Sequence, residues 1–152
     1  MTVTIRKANP ADVETIVAFN QGLAMETEDK QLNHDTLTAG VGRILSDESK
    51  GQYFVAECDD RVVGQIMYTT EWSDWRNGEV LWLQSVYVHA DYRGRGIFGL
   101  LLGELQKIVD SNPEVVGLRL YVEKENTTAQ GTYLKSGFEL PGYLVMERIP
   151  KT

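Results

Sequence analysis

The chain reads as an α/β protein of the α+β kind. It should form a mixed central sheet of about six or seven strands, mostly antiparallel with one parallel splayed pair, flanked by about four helices. Three observations point there. Apolar residues near the start repeat with helical spacing, whereas from Gly51 to Val88 the period changes to two. The short turn at Asp59-Asp60 joins two strand-like runs as a hairpin, which makes them antiparallel. Finally, the strand-like run ending at Val88, the leucine-rich helical run after Gly96 and the apolar run Leu118 to Val122 form a strand, helix, strand crossover, so those two strands should be parallel.

Taken in order, Val3 and Ile5 alternate with Thr4 and Arg6 as a short strand. Asn9-Pro10 then starts a helix carrying Val13, Ile16, Val17 and Phe19. A second helix begins near Asn33 to Asp35 and runs through Leu37, Val41, Ile44 and Leu45. Between the two lie the acids Glu26, Glu28 and Asp29, read either as a solvated helix end or as a face for a cationic substrate. Tyr53 to Ala56, Val62 to Tyr68 and Val80 to Val88 give three successive antiparallel strands, the last two joined by a loop near Ser73 to Gly78. Trp75 in that polar loop is read either as core packing or as substrate-lining. Gln84-Ser85 places two adjacent polar residues in a strand that should be central. Their side chains point to opposite faces, so a bulge or cleft is expected there. Ile97, Leu101, Leu105 and Ile108 follow helical spacing until Asn112-Pro113. A last helix starts at Asn126, passes Ala129, Tyr133 and Leu134 and closes at Gly137, and Gly142 to Ile149 should supply a last strand.

The bulk composition narrows the function. At 152 residues, 42% hydrophobic and 24% charged, one well-buried core is expected, hence a single domain over residues 1–152. A net charge of −7 disfavours nucleic acid and anionic membranes and suits a cationic partner. No run is apolar enough for a signal core or a span, so a soluble, cytoplasmic protein is expected. Cys58 is the single cysteine and His34 and His89 are the two histidines, which excludes a cysteine cage and points to no metal site.

Arg93-Gly94-Arg95-Gly96-Ile97-Phe98-Gly99 falls at the turn from strand to helix. Glycines there let the backbone come close to a ligand, and the first amides of the helix carry the positive end of its dipole, a setting that binds phosphate. The alternative is a flexible helix entry with solvated arginines. Leu100 and Leu101 stand where a P-loop needs Lys and Ser or Thr, so that motif fails. Gly94, Gly96 and Gly99 do fit a dinucleotide fingerprint, with Glu123 as its acid, although five residues, His89 to Arg93, intervene before the first glycine.

Two segments together resemble the GCN5-related N-acetyltransferase (GNAT) family, over nearly the whole chain. Arg93-Gly94-Arg95-Gly96-Ile97-Phe98 is similar to the family's pyrophosphate motif, departing from it at Phe98, where Gly99 follows at once. Asn126 to Phe138 is similar to its Asn, Ala, Tyr, Gly-Phe segment. Asp91-Tyr92-Arg93-Gly94 and Trp75 look most like the spermidine/spermine and related small-amine acetyltransferases.

The resemblance implies an acetyl-CoA-dependent N-acetyltransferase without a metal, acting on a small primary amine such as a polyamine, amino acid or aminated metabolite, and often a homodimer. It assigns acetyl-CoA to Val86, Val88, Arg93, Gly94, Arg95, Gly96, Ile97, Phe98, Gly99 and Asn126. The Val88 N–H would stabilise the oxyanion, Tyr133 would act as general acid, and Gln84, Ser85, Trp75, Glu26 and Glu28 would meet the acceptor. The polyamine-acetylating relatives carry an acid where Gln84 stands, and glutamine accepts no proton. The general base is therefore open, with Glu71 and Glu79 nearest in sequence. Two other functions compete: an acyl-CoA-binding module without catalysis, and an NAD(P)-binding domain.

Overall fold

The computed structural model describes residues 1–150 and divides into two units, Met1–Tyr121 and Val122–Thr152. The first begins with β1 (Val3–Lys7), where Arg6 forks onto both oxygens of Asp12 at 2.8 Å and also bonds Glu57. This clamp holds the Asp12 carboxyl below its ordinary range and fixes the chain's exit from the strand. Asn9 caps a short 3-10 turn, Pro10–Asp12, that leads into α1 (Val13–Glu28). Asp29 stops α1 in the left-handed conformation, and Asn33 caps α2 (His34–Ser46).

Strands β2 (Gln52–Cys58), β3 (Arg61–Ser73) and β4 (Gly78–Val88) follow as antiparallel neighbours. Asp59 and Asp60 both have positive φ, 52° and 61°, the turn whose twist matches that of the strands it joins. A second 3-10 turn, Ala90–Tyr92, leads to α3 (Ile97–Ser111), and β5 (Val115–Leu120) returns parallel to β4. The sheet order is β1-β2-β3-β4-β5.

Alternation along the strands buries both faces of the sheet. Tyr53, Val55 and Met67 meet Ile16, Val17 and Val41 of α1 and α2. Ile97, Leu101 and Leu105 of α3 are at most 2% exposed, and Ile97 and Leu101 lie over the backbone of Gly64. The buried strand β2 thus has helices on both sides, and its apolar run has no polar alternation to show.

The second unit holds α4 (Thr127–Lys135), capped by the Asn126 side chain, with Gly137 just past its end at φ 95°. Six or seven strands were expected and the described residues form five. The missing one is Gly142 to Ile149, where no strand forms and Leu144 and Met146 are 90% and 92% exposed. Strand-like composition describes a side chain's fit to a pleated, half-buried surface, and without a ladder it does not make a strand. The remaining expected elements form, with ends moved by a few residues: β5 begins at Val115 and stops at Leu120, ahead of the expected Val122.

Candidate active site

The polar pair in β4 produces the expected bulge. Gln65 pairs with Tyr87 and Met67 with Gln84, so one β3 residue lies opposite two on β4. Ser85 takes the extra turn, with φ 52°, a conformation costly for a residue with a Cβ. Beneath it is a buried polar group. The Gln65 side chain, wholly buried, donates from Nε2 to the Ser85 carbonyl at 3.0 Å. Burial raises the Tyr53 phenol, against hydrogen bonds with Ser85 and Asn20 that lower it. Asn20 Nδ2 also donates to the Ile16 carbonyl, at 3.1 Å.

The Gln65 Oε1 is buried and has no hydrogen-bond partner among the described residues. One intramolecular bond contributes about 0.5–1.5 kcal/mol, whereas an unsatisfied buried acceptor costs about 1–3 kcal/mol. The unpartnered Oε1 thus works against the gain from the bond that Gln65 gives to Ser85. Gln84 turns its own amide to Thr69 Oγ1, at 2.7 Å.

Beyond the bulge β4 leaves its parallel neighbour. The β4–β5 ladder ends at Leu83 and Leu120, and β4 continues to Val88. Val88 is opposite Gly64, and the bond beside them runs from His89 N–H to the Val63 carbonyl at 2.8 Å. That is the widely spaced kind of antiparallel pair, in which the N–H and C=O of the paired residues point away from each other. The Val88 N–H and C=O therefore face the side on which β5 has stopped pairing. Arg93 Nε donates to this carbonyl at 2.9 Å.

The glycine turn follows. Gly94 and Gly96 have φ of 77° and 78°, and a Cβ at either, or at Gly99, would meet no heavy atom within 4 Å. Glycine is needed there for its dihedrals, and the space it leaves is open to a ligand. The first helical bond of α3 runs from Leu100 N–H to the Gly96 carbonyl at 3.2 Å, so the helix start presents its amide dipoles at the turn. Ile97 is buried and anchors the helix start in the core. The space and donors suit an extended ligand with an anionic tail. Arg95 stacks over the Tyr92 ring, 5.3 Å from its centroid.

Arg93 has a second set of partners. Its Nη2 donates to Glu26 Oε1 at 2.7 Å, while Glu26 Oε2 accepts from the Tyr87 hydroxyl. Burial raises the Glu26 carboxyl, but the bonds from Tyr87 and Arg93 outweigh it and leave Glu26 below its ordinary range, hence ionised near neutrality. The contact depends on Gly22, where a Cβ would come within 2.8 Å of the Tyr87 hydroxyl. Gly22→Ala is expected to forgo the roughly 1 kcal/mol that alanine normally adds inside a helix, because the phenol must move. Burial first, and then the bond to Glu26, hold the Tyr87 phenol up, so in Gly22→Ala the loss of that bond should shift the phenol's titration downward. Ultraviolet titration, with Tyr87→Phe in each background to isolate that hydroxyl, checks it.

In the second unit, Asn126 Oδ1 accepts from Ala129 N–H at 3.1 Å, which leaves its amide hydrogens for other partners. Tyr133 stands edge-on to Phe138, with 5.8 Å between ring centroids, and burial raises its phenol above the usual value.

Of the site residues expected in the first unit, the structure gathers Ser85, Val86, Val88, the glycine turn and Glu26 around the end of β4. Trp75 lies apart from them, 90% exposed at the β3–β4 hairpin tip, and Glu28 is exposed at the end of α1. The base candidates lie at that far end too. Glu79 is second in β4 and Glu71, opposite Val80, is ion-paired with Arg119 at 2.7 Å. Glu79 is five residues before Gln84, about 16 Å along a strand. The sequence reading missed Gln65, Asn20, Tyr53 and Tyr87, although a glutamine inside the apolar run Val62 to Met67 was a visible signal for the first. Among the described residues no group of three His, Cys, Asp or Glu could hold a metal, and no helix is long and apolar enough to cross a membrane.

A mainly antiparallel sheet whose single parallel pair opens beside a glycine turn is the architecture of an acetyltransferase. It lacks the mostly parallel sheet on which the dinucleotide reading rests. Residues 19–138 match the acetyltransferase (GNAT) family, and the chain belongs to it. Members of this family use acetyl-CoA. A possible acetyltransferase from Clostridium difficile 630 is 48% identical, with 100% of both chains covered and a TM-score of 0.92. Two more distant structures share the fold. AAC(6')-Iy, in complex with the bisubstrate analogue CoA-S-monomethyl-acetylneamine, is 20% identical over 99% of this chain and 100% of its own, at TM-score 0.77. A ribosomal-protein-alanine N-acetyltransferase from Brucella melitensis biovar Abortus 2308 is 16% identical over 98% and 100%, at 0.79. No curated protein matches the sequence.

Proposed function

We propose that the chain, as a single domain, transfers an acetyl group from acetyl-CoA to the primary amine of a small molecule, by direct attack within a ternary complex. The observation that carries this reading is the Val88 N–H turned away from β3 beyond the end of the β4–β5 ladder, one short turn from Gly94 and Gly96. Acetyl-CoA supplies an activated thioester carbonyl. Val86 and Val88 hold its amide-bearing arm as a neighbouring strand would, and Asn126 contacts the same arm. The amides from Arg93 to Gly99 hold the diphosphate at the helix start.

In the reaction the acceptor nitrogen attacks the carbonyl carbon as the carbon–sulfur bond breaks. The Val88 N–H donates to the carbonyl oxygen while negative charge builds there, and the Tyr133 hydroxyl gives its proton to the departing sulfur. Glu26, ion-paired with Arg93, joins Gln84 and Ser85 in offering oxygen acceptors to an ammonium group, and the net charge of −7 adds to the attraction of a cationic acceptor. Glu28 and Trp75 belong to this surface only if the acceptor extends along the exposed face. Distant fold relatives are named for acceptors as unlike as an aminoglycoside derivative and a ribosomal protein, so the fold by itself does not choose. The same reading takes the active form to be a homodimer, which light scattering of the purified chain checks.

With glutamine at position 84 the acceptor loses its proton to solvent before attack. kcat/KM is then expected to rise with pH until the acceptor's own ammonium group has titrated, and the rise should move when acceptors of different basicity are compared. A rise fixed at one pH for all acceptors would reveal an enzyme base instead. Coenzyme A thiol release, screened over polyamines, amino acids, aminated metabolites and peptides, tests the acceptor class. Release with peptides alone overturns it.

A further inference from the structure

We propose that Gln65 is a positioning residue for acetyl transfer: its side-chain amide holds the Ser85 carbonyl, and so sets the β4 bulge that turns the Val88 N–H toward the open side of the strand. The inference rests on the reading above, in which that N–H meets the thioester oxygen.

The extra residue of a bulge is left out of the ladder, so its carbonyl needs a partner from elsewhere. Gln65 supplies it from a wholly buried side chain, at 3.0 Å. The same side chain leaves its Oε1 unpartnered in the interior, which offsets part of what its bond to Ser85 contributes, and an apolar side chain of similar volume would leave the Ser85 carbonyl without that bond. The bulge has a directional consequence. Peptide groups alternate along a strand, so removing one residue from the register reverses every later one. Without the extra residue at Ser85, the Val88 N–H would turn into the ladder with β3 and be consumed there. Gln65 thus acts through Ser85, three residues before Val88, and touches no substrate.

The test uses the full chain with the conservative-volume variant Gln65→Met. Three quantities are measured: thermal midpoint, exchange of the His89 amide, which is bonded to the Val63 carbonyl, and steady-state rates with an amine accepted by the parent protein. The expected result is a midpoint close to the parent's, because the substitution removes the unpartnered Oε1 while it unpairs the Ser85 carbonyl, with kcat lowered roughly 10- to 100-fold by misplacement of a donor and the KM for acetyl-CoA much less affected. His89 exchange should quicken by about tenfold or more as the register loosens. In a Ser85→Gly background the same change should cost less than about threefold, because glycine takes the positive φ unaided. Unchanged exchange together with unchanged kcat overturns the role of Gln65 and leaves the Val88 reading standing. Faster exchange with unchanged kcat shows that the bulge moved without consequence, which removes Val88 as the donor and the positioning role with it. If Gln65→Met lowers the midpoint and kcat falls equally in the parent and in the Ser85→Gly background, Gln65 is merely structural and the proposal fails.

Discussion

Tyr133→Phe is expected to lower kcat by about 10²- to 10⁴-fold, the usual range for removing a positioned general acid, while the affinity for coenzyme A stays within about twofold. The substitution deletes one oxygen and keeps the ring, so the edge-on contact with Phe138 survives. The pH profile gives an independent reading. Burial raises the Tyr133 phenol above the usual 10.0, so the acid form persists through neutral and mildly alkaline solution. The parent enzyme should lose activity only where the phenol ionises, and the variant's low activity should show no such descent. An unaltered kcat in the variant would leave the departing thiolate to be protonated by water and would remove Tyr133 from the mechanism.

The largest effect on stability is expected at Leu101. It is fully buried in α3, and its Cδ1 lies 3.5 Å from where a Cβ on Gly64 would be, with Ile97 Cγ2 closer still at 3.3 Å. Leu101→Ala removes buried methyl groups at a contact between helix and strand backbone that has little room to close. A loss of about 2–5 kcal/mol is expected. For a chain of this size that is a fall of roughly 5–20 °C in the thermal midpoint, measurable by calorimetry. Function should suffer as well. Leu101 sits one turn after Ile97, and the two seat the helix start that presents its amides at the glycine turn. Coenzyme A affinity should therefore fall further in Leu101→Ala than in Leu100→Ala, whose side chain is half exposed.

The sheet's middle was legible because its signals are local. Asp59-Asp60 needs only its own dihedrals to make a hairpin, and Gly94 and Gly96 likewise announce a turn that residues with a Cβ resist. Gln84-Ser85 foretold the bulge, since two adjacent polar residues cannot both be tolerated in a buried ladder. What was not legible depends on partners distant in sequence. Glu26 looked like a solvated helix end, and its bonds to Tyr87 and Arg93 come from residues more than sixty positions away. Gln65 stood out as polar in an apolar run, but its target exists only once β3 and β4 pair. The expected strand at Gly142 to Ile149 failed for the converse reason: its residues suit a strand, and a strand also needs a neighbour. Glu71 and Glu79 were near Gln84 in the sequence and lie toward the opposite end of the same strand.

Strand β4 outruns β5 by five residues, Gln84 to Val88. An overhang of that kind welcomes any stray extended backbone, including one from a misfolded molecule, and natural sheets deter such visitors with charge. Arg93, ion-paired with Glu26, donates to the Val88 carbonyl and so occupies an acceptor that a visiting strand would need at the tip. A substitution that removes Arg93 is therefore expected to bare this edge and to promote self-association.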